Sequence, residues 1–170
     1  MAKKAFLLVV TFLSSLALAQ QTPPVSSPLL DHLAGHWILQ GAIAGQPVTH
    51  DIDAEWVLEH HYLRLHEVSR EKTDKGEPLY EAFIFIAWND PPKQYSCAWL
   101  DVYGGFSPVS VGVAAVKDSD IPFVFKNETG EVVFNNDFVY DAKTDSWQWI
   151  MDNVDKGVIK PFGRPKLVRK

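Results

Sequence analysis

Residues 50–67 read HDIDAEWVLEHHYLRLHE and place four of the chain's six histidines among carboxylates. With Glu59-His60 as a two-residue turn, the segment folds on itself as a hairpin. The facing pairs are then Leu58/His61, Val57/Tyr62, Trp56/Leu63, Glu55/Arg64, Ala54/Leu65, Asp53/His66 and Ile52/Glu67. Side chains on a strand alternate between faces, so these pairs sort into two sets. One face carries Ile52, Ala54, Trp56, Leu63 and Leu65. The other carries Asp53–His66 and Glu55–Arg64, opposite-charge pairs suited to a solvated face. Glu-His is an unusual turn, because such turns favour Gly or Asn at positive φ.

This register disfavours a metal centre. His60 and His61 point to opposite faces when extended, and neither an H-E-x-x-H motif nor paired C-x-x-C motifs are present. His60 and His66 read as solvated. One anomaly remains: Glu67 falls on the apolar face beside Ile52, with His50 one diagonal step away. A carboxylate facing a core must be paired or neutralised. Two readings stay open, a pair in water at the rim of the fold and an inward polar pair that orients a ligand.

The same alternation recurs along the chain. Strand-like runs such as HWILQGAIA, LYEAFIFIAW, QYSCAWLDVY, EVVFNNDFVY and SWQWIMD are separated by breakers such as AGQP, NDPPK, ETG and DAKTD. No helical insert is long enough for a parallel crossover, so neighbouring strands are joined as hairpins. About ten consecutive strands predict an all-β, closed antiparallel meander barrel, since closure removes exposed edges. A two-sheet sandwich is the alternative. Ahead of the strands, Ser27, Pro28 and Gly35 mark the cap, first residue and stop of a short N-terminal helix.

Residues 1–19 have the pattern of a signal peptide: Lys3 and Lys4, an apolar run to Leu16, then Ala17-Leu18-Ala19. Residues 20–27 read as a disordered lead-in and 28–170 as the barrel. The expected location is therefore secreted or periplasmic. Without Lys3 and Lys4 the chain has 14 basic and 21 acidic residues, a net charge of −7. That balance argues against nucleic acid as a partner, and no stretch after the signal predicts a membrane span. A lone cysteine, Cys97, cannot form an internal disulfide and reads as a buried inert thiol.

Trp99 and Asp101 share a face with Tyr95 and Cys97, and Trp149 shares one with Trp147 and Met151. If these faces are internal, aromatic rings and a few carboxylates line a space. For residues 79–88 both faces are apolar, and the inner one stays open. The candidate ligand-binding set is His50, Trp56, Glu67, Trp99, Asp101 and Trp149, for a small apolar molecule with one polar end. An enzyme using His50, Glu67 and Asp101 as acid–base groups and a packed interaction protein are the alternatives. A nucleophile motif is missing, a phosphate loop likewise, and no protein partner is indicated. The sequon Asn127-Glu128-Thr129 reads as a turn.

At Gly35-His36-Trp37 the chain resembles the G-x-W opening of calycin, or lipocalin-like, barrels. Residues Ala54 to Leu65, Tyr80 to Trp88 and Trp99 to Asp101 extend this likeness to a group of bacterial secreted proteins without an assigned biochemical function. The resemblance implies an arginine near the C-terminus packed on Trp37, with Arg169 in that role and Arg164 the fallback. Related nitrobindin barrels hold haem through a late histidine; here no histidine follows His66, and no cofactor is expected.

Overall fold

A computed structural model describes residues 27–170; the expected signal peptide and all but Ser27 of the lead-in lie outside them. Helix α1 spans Pro28–Leu33. The strands are β1 (Gly35–Ile43), β2 (Gln46–Val57), β3 (Tyr62–Ser69), β4 (Glu81–Asn89), β5 (Gln94–Asp101), β6 (Val111–Ala115), β7 (Asp120–Lys126), β8 (Val132–Asp141), β9 (Ser146–Asp155), β10 (Val158–Gly163) and β11 (Lys166–Arg169). From β1 to β9 each pairs antiparallel with its neighbours in chain order, and β10 and β11 both bridge β9 to β1. They are two halves of one strand, so the sheet closes as a ten-stranded meander barrel. The break falls at Arg164-Pro165, where proline has no N–H for the ladder. In residues 107–116, SPVSVGVAAV, only Val111–Ala115 is strand, because Pro108–Ser110 forms a 3-10 turn.

The β2–β3 register is the one the alternation requires, from Ile52 opposite Glu67 to Val57 opposite Tyr62. His61 N donates to Leu58 O, and Glu59 and His60 between them have φ of 57° and 67°. The ladder ends at Val57–Tyr62, however, and Leu58 has a φ of 50°, so Leu58 to His61 link the strands as a four-residue turn and not the expected two-residue one, without Gly or Asn. On the outer face Glu55 pairs with Arg64. Asp53 and His66 face each other in the ladder, yet they do not form the expected ion pair. Asp53 turns to His36 on β1, and His66 Nε2 lies 2.7 Å from Glu81 Oε1 and stacks on Phe83. A central strand has a neighbour on either side, and each side chain took the other one.

Inside, Trp37, Leu39, Ile52, Leu63, Leu65, Ile84, Ile86, Phe123, Phe138, Trp147, Trp149 and Leu167 form the core. Ala82, Ile84 and Ile86 point inward, which answers the open question for residues 79–88; Phe83 and Phe85 are half-buried on the outside.

Helix α1 plugs one end. Leu30 and Leu33 are fully buried, and Ser27 Oγ reaches the Tyr95 hydroxyl at 2.7 Å. Three indoles tie the plug down: Trp37 Nε1 donates to Leu33 O, Trp56 Nε1 to Asp31 Oδ1 and Trp147 Nε1 to His32 O. The Trp37 bond is buried, the Trp147 bond partly so, and the Trp56 bond lies at the exposed edge of the barrel end. Arg169 lies over Trp37 and donates to the carbonyls of Ala34 and His32. Arg164, the fallback, instead pairs with Asp152 and binds the Met151 and Gly163 carbonyls.

Candidate functional site

The end away from α1 is not filled. A cavity of about 930 Å³ opens there. Its walls come from the start of β2, the ends of β3 and β5, the start of β8, and the β1–β2, β3–β4 and β5–β6 connections. Most of the lining is apolar: Ile43, Val48, Phe125, Phe134, Met151 and Phe162. Leu79, Tyr103 and Val109 line it and are also exposed, as is nearby Phe106, giving the mouth a greasy rim.

The polar part of the wall is built by β3 and its neighbours. His50 Nδ1 lies 2.6 Å from Glu67 Oε1, and both residues are under 5% exposed. The ring nitrogen donates and the carboxylate accepts, so the inward pair is buried and not at a wet rim. Glu67 Oε2 has no partner among the described residues. Two residues on, Ser69 Oγ accepts from Tyr80 N and donates to Glu71 O. Glu71 Oε1 accepts from Thr49 N, and its Oε2 is buried without a partner. Parity puts 67 and 69 on one face, and Glu71, just past the end of β3, continues the polar wall toward the mouth.

Asp101 stands across from Glu67. Both are register partners of Ala82, one through β3 and one through β5. Two carboxylates therefore flank one methyl group, with α-carbons about 9–10 Å apart by sheet spacing. The Tyr80 hydroxyl connects them to the aromatic wall: it accepts from Trp99 Nε1 at 3.0 Å and sits 3.5 Å from Asp101 Oδ2. Burial, and next the Glu67 carboxylate, push the Tyr80 phenol above its ordinary range, so it stays a neutral donor. The Tyr80 ring also stacks near His50, with centroids 5.8 Å apart.

His50, Glu67, Trp99 and Asp101 are thus brought to one cavity. Trp56 and Trp149 are not. Trp56 lies at the α1 end, bonded to Asp31 and stacked with the exposed His60. Trp149 sits one layer below the cavity, behind Trp99, stacked on Phe138 and bonded to Asn136. Ser69, Glu71 and Tyr80 were missed, though Ser69 follows from extending the parity of Glu67. Among the described residues, no three His, Cys, Asp or Glu side chains converge to hold a metal ion. No protein-family model matches the chain, and no curated protein does.

Proposed function

We propose that this chain is an exported barrel that binds a small, largely apolar molecule with one polar end. The observation that carries this reading is the cavity: about 930 Å³, aromatic and aliphatic on most sides, with its polar groups gathered on one wall. That size and composition are typical of small-molecule pockets. A packed barrel acting only through its surface has no use for an open interior of this volume. The greasy rim suits an apolar body entering from that end. Export rests on the pattern of residues 1–19, and kinship with calycin barrels on Gly35-x-Trp37 covered by Arg169. The acidic surface supports neither nucleic acid nor anionic lipid as a partner. Among the described residues no helix is long and apolar enough to cross a membrane.

Native mass spectrometry of gently purified protein, with quenching of tryptophan fluorescence by a lipid and metabolite panel, tests the reading. One retained or added molecule per chain, quenching Trp99, supports it. Absence of saturable quenching by any apolar compound contradicts it.

The buried His50–Glu67 pair also favours a second reading, an enzyme with His50 as base oriented by Glu67. If turnover of any bound compound is detected, Glu67→Gln abolishes it while leaving the fold intact; unchanged turnover refutes this reading.

A further inference from the structure

The charge of the lining narrows the ligand. Three carboxylates, Glu67, Glu71 and Asp101, face the cavity, and neither lysine nor arginine lines it. Glu67 lines it at 1% exposure, and its Oε2 is buried in the wall without a hydrogen bond among the described residues. A buried acceptor without a donor is costly, and the cost is met when a donor is brought in. A ligand carboxylate or phosphate meets like charge here and offers no donor. Neutral hydroxyls satisfy the lone pair but add no positive charge to three carboxylates beside which the lining sets only His50. A protonated amine does both.

The aromatic surroundings fit the same chemistry. Tyr80, Trp99 and Tyr103 gather around Asp101, which accepts from Tyr103 N at 2.9 Å. Ring faces attract a cation, most strongly where water is excluded. Metal ions are the poorer fit, since the described carboxylates and histidines do not converge in threes. Their spread across Ala82 suits an ammonium group on an organic body, whose hydrogen-bond donors diverge.

Resting on the binding-barrel reading above, we infer that the ligand's polar end is a protonated amine, received between Glu67 and Asp101 against the rings of Tyr80 and Trp99. The apolar remainder lies toward Phe125, Phe134 and Met151.

The test is displacement of N-phenylnaphthylamine, an uncharged apolar fluorophore, from the full chain by decylamine, decanol or decanoate. Decylamine should displace it at about tenfold lower concentration than decanol, the size expected for one charge-assisted hydrogen bond, with decanoate weakest. Glu67→Gln and Asp101→Asn should each bring decylamine close to decanol while the fluorophore still binds. Asp101→Asn decides the matter if Glu67→Gln folds poorly by near-UV circular dichroism. Decanoate matching or surpassing decylamine overturns the inference and leaves the binding barrel standing. So does an amine preference unchanged in both variants, which assigns it to the acidic outer surface. Failure of the wild-type protein to take up the fluorophore overturns the binding reading and this inference with it.

Discussion

The guanidinium carbon of Arg169 lies 3.8 Å from the centre of the Trp37 ring, so the end of the last strand closes over the first. The same side chain donates to Ala34 O and His32 O and pairs with Asp145 at 2.9 Å. Gly35 makes room for it: a β-carbon there would collide with the guanidinium, and the backbone φ of +128° disfavours any side chain. The glycine and the tryptophan of the G-x-W pattern are thus two halves of one seat. Arg169→Ala is expected to cost about 2 kcal/mol, the sum of a cation–π contact and charged hydrogen bonds lost from a partly exposed site. Urea unfolding with an unchanged m-value measures it. Lysine should recover little of the loss, because an ammonium cannot fork to two carbonyls and a carboxylate.

Acid should loosen this clasp. The hydrogen bond from Arg169 is the main cause holding the Asp145 carboxyl below its usual range. A carboxyl whose folded value lies below its unfolded one adds stability that is fully present above the unfolded value, about 4. That contribution disappears as pH falls toward the folded value. The stability gap between wild type and Asp145→Asn should therefore be constant at neutral pH and shrink below about pH 4. A gap that widens in acid contradicts the sign.

Gly112 on β6 controls the cavity from beneath. A β-carbon there would meet Phe125 Cζ at 2.7 Å and Cε1 at 2.9 Å, and Phe125 lines the space. Gly112→Ala should push the ring inward at a cost of about 1–3 kcal/mol. Fluorophore affinity should fall in the same variant, as read by titration beside a thermal melt. Unaltered affinity would place the ligand elsewhere.

Cys97 is buried, and burial raises its thiol above the ordinary range. Thiolate is the reactive form, so a disulfide reagent should label native protein only as fast as it unfolds. Labelling in denaturant should be immediate. Fast labelling of the native protein would show β5 opening locally.

How much of this was legible followed from what parity can and cannot carry. Alternation of side chains fixed the faces of β2 and β3, and with them the inward His50–Glu67 pair, because one misplaced carboxylate stood out on an apolar row. It was silent for β4, where Phe83 and Phe85 on the outer face are as apolar as Ile84 and Ile86 within. Nor does it give height along the barrel axis. Trp56, Trp149 and Trp99 all lie on inner rows, yet one braces the plug, one fills the middle and only Trp99 reaches the cavity. Depth depends on strand stagger, which no local pattern records. The choice of Asp53 for His36 over His66 was likewise set by a third strand. The turn after Val57 shows the converse, with Leu58, Glu59 and His60 all held at positive φ by a register strong enough to override residue preference.

The barrel interior is open near Glu67 and Trp99. A crystal of the protein grown with an iodinated benzyl alcohol, an uncharged apolar probe, tests this directly through the anomalous signal of iodine. The expected peak lies inside the barrel between Trp99, Phe125 and Met151, on the side of Glu67 away from α1. An interior closed by the Tyr80, Trp99 and Phe134 rings, with iodine only on the outer surface, would contradict it.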